Sequence, residues 1–147
     1  MAKETKQTWQ FKQSPEEVWE YLTKPELMEQ WLMKTNFKPV KGYKFQFTFV
    51  AKPGSPYAGI VDCEVLEVKP FTRLSYSWNG STNDGSRTFN STVVWTLIPK
   101  EKGTELQLQH DGFISLDDFT NHNSGWIKCV EKMTDLLNSS SHASSNS

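Results

Sequence analysis

The spacing of apolar and polar positions changes period along the chain, and each change marks a new element. After a first strand near the N-terminus, "SPEEVW" places Ser14 as an N-cap, Pro15 at the first helical position and Glu17 three residues beyond the serine. That capping-box pattern predicts a short helix. Pro25 restarts the pattern, and "PELMEQWL" sets Leu27, Met28, Trp31 and Leu32 at helical spacing, predicting a second short helix. From Gly42 the period falls to two. Phe45, Phe47 and Phe49 alternate with Lys44, Gln46 and Thr48, the pattern of a strand with one buried face. Further strands are predicted over "GIVDCEVLEV" from Gly59, over "RLSYSW" with Leu74, Tyr76 and Trp78 on one face, and over "STVVWTLI" with Val93, Trp95 and Leu97 on one face. Turn-forming stretches at 52–59, 79–86 and 99–103 separate them, so the set reads as an antiparallel meander.

The last strand, "TELQLQHD", puts Leu106, Leu108 and His110 on one side and Glu105, Gln107, Gln109 and Asp111 on the other. Ser115 and Asp118 then repeat the capping-box spacing. Phe119, His122, Trp126, Cys129, Met133 and Leu136 follow at three- and four-residue steps, with Val130 and Leu137 widening the stripe. The stripe runs through Gly125, which predicts one helix of about twenty residues with that glycine as the place where it would bend. The remaining "NSSSHASSNS" has no apolar stripe to bury. A single domain over 1–138 and a disordered Ser-rich tail over 139–147 are therefore expected.

These elements assemble into an α+β chain: six antiparallel strands, two short helices after the first strand, and a long C-terminal helix. A twisted sheet of that size curls, and a helix across its concave face leaves either a packed core or an elongated cavity. The inward-facing residues are rich in aromatics: Trp31, Phe45, Phe47, Phe49, Tyr76, Trp78, Trp95 and Trp126. Such side chains suit a hydrophobic ligand with a few polar handles, and they equally suit a plain core. Val93, Leu108, Val130 and Met133 complete the apolar part of the candidate lining, with His110 and His122 as its polar members.

Charge narrows the partners. Lys and Arg number 16 against 17 Asp and Glu, a net charge of -1, which supplies no field for a nucleic acid. The N-terminal "MAKETKQTWQF" leads into no long apolar run, so neither a signal peptide nor a membrane span is expected and the expected location is cytoplasmic. Cys63 and Cys129 are too few for a disulfide framework or a cysteine-rich zinc site, and no cofactor or metal is expected. The sequence contains none of G-x-S-x-G, H-E-x-x-H, a P-loop or G-x-G-x-x-G. His110, His122, Asp62, Glu64 and Tyr76 are the candidate acid–base groups, and strand alternation turns Asp62 and Glu64 to solvent. His110-Asp111 looks like a dyad, but consecutive strand residues face opposite ways unless Gly112 bulges the strand.

"QSPEEVWEYLTKPELMEQW", Gly42 with Phe45 and Phe47, "GIV" at Gly59, "VLEVKP", "LSYSW", "STVVWTLIP", "GTELQLQHDGF" and the Gly125-Trp126 pair together form an ordered set. In that order they resemble the activator of Hsp90 ATPase homologue 1-like (AHSA1-type) family. That family lies in the START-like (SRPBCC) helix-grip superfamily, which includes Bet v 1-type allergens and polyketide cyclase-like proteins. The resemblance implies a curved sheet gripping the long helix around a cavity for a lipid, polyketide or flavonoid-like molecule. It implies a monomeric or weakly dimeric binding protein, without a catalytic residue, as the first functional expectation. An Hsp90-type chaperone partner is the second; the eukaryotic activator carries an additional N-terminal domain as its main chaperone contact, and this sequence starts its first strand soon after Met1. A cyclase-like enzyme using His110 or Tyr76 is the third. Ligand access is expected where the loops "AKPGSPYAG" and "NGSTNDGS" meet one end of the long helix.

Overall fold

A computed structural model describes residues 3–49 and 53–145, with side chains described over 4–49 and 53–139. Ala51 and Lys52 of the first loop where access is expected, and the last two residues, lie outside this range. The chain runs β1 (Lys3–Phe11), α1 (Pro15–Thr23), α2 (Pro25–Trp31), β2 (Lys34–Thr35), β3 (Lys44–Thr48), β4 (Tyr57–Lys69), β5 (Arg73–Thr82), β6 (Thr88–Lys100), β7 (Gly103–Phe113) and α3 (Leu116–Ser145). The strands form one antiparallel sheet of seven in the order β1-β7-β6-β5-β4-β3-β2. One strand more than expected is present. The addition is β2, a two-residue pairing of Lys34 and Thr35 with Thr48 and Phe47, too short to leave a periodic trace in sequence.

Ser14 caps α1 as its spacing predicts, its hydroxyl accepting the Glu17 N–H at 3.3 Å. The cap of α3 is only half of the expected box. Ser115 Oγ accepts the Asp118 N–H at 3.3 Å, but the Asp118 carboxylate turns away to Arg87 and Tyr57. α3 is continuous through Gly125 and extends to Ser145, so 139–145, expected as disordered tail, are helical.

The core lies between sheet and helix. Trp126, Val130, Met133 and Leu137 of α3 are buried against the sheet, with the Trp126 ring centroid 5.4 Å from Trp95 and 5.2 Å from Trp78. The short helices close one end through Val18, Leu22, Met28 and Trp31, the last standing edge-on to Trp95 at 6.0 Å. On the sheet, burial alternates strictly along β6 and most of β7, so Leu106, Leu108 and His110 face the helix. Gly112 breaks that alternation. Its φ of +108° accompanies a register shift between Lys3 and Glu4 of β1, which is a β-bulge. The bulge re-aims Phe113, not Asp111: Phe113 is buried with its ring 4.5 Å from His110, while Asp111 stays on the outer face.

Candidate ligand cavity

A cavity of about 160 Å³, open to solvent on one side past Ile60 and Asn121, lies at the end of the core where β4, β5, β6 and α3 converge. Phe49, Tyr57, Gly59 and Ile60 wall it from the β3–β4 side, Trp78, Ser81 and Phe89 from the next strands. Asn121, His122, Gly125, Trp126 and Cys129 wall it from α3, and Leu32 and Met33 reach it from beyond α2. The local reasons are simple. Gly59 has φ +88° and a Cβ there would lie 2.7 Å from Phe49 O, so only glycine lets the two strands meet at the wall. Gly125 is helical, and a Cβ there would meet no atom within 4 Å. Its missing side chain is part of the space.

Four residues expected to line a cavity do so: Phe49, Trp78, His122 and Trp126. The rest do not. Trp31, Phe45, Phe47, Tyr76, Val93 and Trp95 are packed to exclusion, as are Leu108, His110, Val130 and Met133. Their rings fill the space that an elongated cavity would need: Phe45 stands 5.5 Å from Tyr76 and 5.4 Å from Phe47, and Phe37 adds a ring 4.9 Å from Phe45. Of the packed core and the elongated cavity that the sequence left open, the packed core covers most of the sheet, with a short cavity at one end.

His110 belongs to the packed part. Trp126 Nε1 donates to its Nδ1 at 2.8 Å, and Ser91 Oγ lies 2.8 Å from its Nε2. An indole N–H can only donate, so Nδ1 is the bare nitrogen and the ring proton sits on Nε2, directed at Ser91. Ser91 passes its own proton to Trp78 O at 2.7 Å. Every partner is satisfied with His110 neutral, and burial, with His122 nearby, pushes its pKa well below the ordinary value. The Ser91–His110 pair has the spacing of a nucleophile and its base but the opposite polarity: the nitrogen facing the serine already carries a proton.

His122 is held differently. Its Nδ1 lies 2.8 Å from Asp118 O, and because a carbonyl only accepts, the proton is on Nδ1 and Nε2 is bare. Burial lowers its pKa although the Asp118 carbonyl and charge oppose the shift. Around it stand Phe113 at 4.6 Å, Phe89 at 4.9 Å and Tyr57 at 5.5 Å, centroid to centroid.

Asp118 ties the cavity's outer end together. Arg87 Nε and Nη2 reach its two oxygens at 2.9 and 3.0 Å, and Tyr57 donates its hydroxyl at 2.8 Å. Burial alone would raise the carboxyl pKa, but these hydrogen bonds and the Arg87 charge hold it below the usual range. Burial, reinforced by Asp118, pushes the Tyr57 phenol up to about 12. The turn after β5 is fastened to the segment before β4 as well, Asn83 N–H donating to Pro56 O at 2.7 Å. The turn after β5 and the segment before β4 thus meet at the start of α3.

Sequence reading missed Tyr57, Phe89, Arg87 and Ser91. Phe89 and Ser91 were within reach, since they continue the even spacing of Val93 and Trp95 toward the start of β6. Tyr57 was not, because it follows Pro56 in a turn-rich stretch and β4 is irregular after it, with register shifting between Tyr57 and Val61.

The model of the activator of Hsp90 ATPase homolog 1-like protein family matches residues 12–138. The chain belongs to that family. Among solved structures, protein MLL2253 of Mesorhizobium loti is 36% identical, with a TM-score of 0.82 over 92% of this chain and 97% of that one. The Aha1 dimer from Colwellia psychrerythraea matches at 20% identity and a TM-score of 0.74, covering 92% of this chain and 96% of that one. DynU16, a protein in the dynemicin biosynthetic locus, matches at 22% identity and a TM-score of 0.73, over 92% of this chain and 47% of its own length. Below 25% identity these likenesses show the helix-grip fold alone. No curated protein matches the sequence. Among the described residues no helix is long and apolar enough to cross a membrane, and no three His, Cys, Asp or Glu side chains gather as a metal site.

Proposed function

We propose that this family member binds a small hydrophobic molecule between the sheet and α3. The observation that carries the reading is the cavity itself: about 160 Å³ is left open beside a core otherwise filled by aromatic rings, with Trp78, Phe89 and Trp126 as its inner walls. Filling such a space with side chain would stabilise the fold, so its presence argues for an occupant. The volume also sets the size. Ligand pockets commonly span about 300–1,000 Å³, whereas an apolar cavity of about 150 Å³ takes up benzene. One aromatic ring or a short branched chain fits; a lipid, polyketide or flavonoid-like molecule would enter with one end only unless the Tyr57–Asp118–Arg87 closure opened. The occurrence of a same-fold protein in the dynemicin biosynthetic locus is consistent with small-molecule work.

The test is an NMR titration with single-ring compounds, flavonoids, fatty acids and sterols. Saturable shifts at the Trp78 and Trp126 indoles, strongest for single rings, are expected. A flat response to every class would sink the reading. Pull-down of an Hsp90-type ATPase, the partner that the family's name suggests, would then be the next measurement.

A further inference from the structure

We propose that the cavity selects a neutral ligand carrying a hydroxyl group, and that His122 Nε2 is the acceptor that reads it. The proposal rests on the cavity reading above. Most polar groups at the cavity are already engaged: Tyr57 donates to Asp118 at 2.8 Å, and Asn121 Nδ2 donates to Tyr57 at 3.1 Å. His122 differs. With Nδ1 committed to Asp118 O, Nε2 has no hydrogen-bond partner among the described residues, and His122 lines the cavity. It is a lone pair with a fixed direction in an aromatic wall, and such a group favours a donor.

Charge removes the anionic alternatives. Among the described residues no Lys or Arg lines the cavity, and Arg87 is committed to Asp118 through both oxygens. A carboxylate buried here would lack a counter-ion among the described residues, at a cost that an apolar cavity does not offset. A cation would gain no ion pair, because no carboxylate lines the cavity among the described residues and the nearby Asp118 is already shared by Arg87 and Tyr57.

A second observation points to an oxygen at this place. Trp31, Trp95 and Trp126 donate their indole N–H groups, to Tyr21 O at 2.7 Å, Tyr76 Oη at 3.0 Å and His110 Nδ1 at 2.8 Å. Trp78 lines the cavity at 3% exposure, and its buried N–H has no acceptor. An orphan donor of this kind is uncommon in native interiors. The Trp78 and His122 ring centroids are 6.1 Å apart, so both rings border the same end of the cavity. A ligand hydroxyl would donate to His122, and it would accept from the Trp78 N–H where the indole turns toward the cavity.

Phenol and toluene test this directly, because they share a shape and differ by hydroxyl against methyl. The quantity read is the toluene-to-phenol ratio of Kd, in the native chain and in His122→Phe. It should fall about tenfold in the variant, the worth of one hydrogen bond, while toluene affinity changes little. Anisole, which accepts but cannot donate, should bind like toluene. In the native chain phenol, and not toluene, should move the His122 Nε2 nitrogen resonance and the Trp78 indole proton; this readout stands even if the variant does not fold. An unchanged ratio, anisole binding like phenol, or a His122 resonance indifferent to phenol would overturn the proposal while leaving the cavity reading intact. Failure of both phenol and toluene to bind would overturn both.

Discussion

Gly125→Leu asks whether the cavity is space held open for a ligand. Gly125 lies in the middle of α3, lines the cavity, and a Cβ there would meet no atom within 4 Å. The cavity of about 160 Å³ opens to solvent past Ile60 and Asn121, so a side chain placed in it gains the burial of its own apolar surface. For a leucine that gain is about 2 kcal/mol. Replacing a helical glycine adds about 0.8 kcal/mol, and fixing the leucine rotamer takes back a similar amount. The net expectation is stabilisation of about 2 kcal/mol, or about 4–8 °C in Tm for a chain of this size. Thermal unfolding followed by circular dichroism reads the first quantity, and toluene titration by NMR reads the second. Stability should rise while toluene affinity falls at least tenfold. Gly125→Ala is the control, gaining about 0.8 kcal/mol from helix propensity with a smaller loss of affinity. Destabilisation by leucine would refute the geometry of the space. A stabilised variant that still binds toluene with native affinity would refute its use as the binding site.

Asp118→Ala removes a carboxylate 2% exposed in its side chain that holds Arg87 and Tyr57 together. Breaking a buried pair costs about 3–5 kcal/mol, and because Arg87 keeps 37% of its side chain in water the expected loss is about 2 kcal/mol. A urea midpoint unchanged from the native chain would show that the ion pair is screened. Because the folded carboxyl pKa is held below its unfolded value, this stabilisation is present above about pH 4 and is lost as pH falls through the lower folded value. Asp118→Asn should lack that acid-side slope in urea titrations. His110 and His122 are both depressed by burial, so their neutral forms stabilise the fold fully above the unfolded value near pH 6.5. Stability should then decline as pH drops below about 6.5, by up to about 1.4 kcal/mol per pH unit for each histidine. His122→Phe should reduce that slope by about half; an unaltered slope would assign it elsewhere.

The long elements were legible because their periodicity is local. Period two over Phe45, Phe47, Leu106, Leu108 and His110, and helical spacing from Phe119 to Leu137, each fix which face is buried before any partner is known. The same rule correctly separated His110 from Asp111. It could not detect β2, whose two residues are held only by pairing with β3, nor the helical continuation of α3 through a Ser-rich segment.

The residues of the site were a tertiary decision. Which aromatics pack and which leave space depends on how rings from different strands interlock, and Phe45, Phe47 and Tyr76 do so while Trp78 and Phe89 stand back at the cavity. Asp118 shows the same division within one side chain. Its spacing from Ser115 marks a helix start, and the helix does start there. Where its carboxylate goes was decided by Arg87 and Tyr57, residues 31 and 61 positions away that only the folded sheet brings within hydrogen-bond reach. Periodicity determined the faces; long-range packing determined the hole between them.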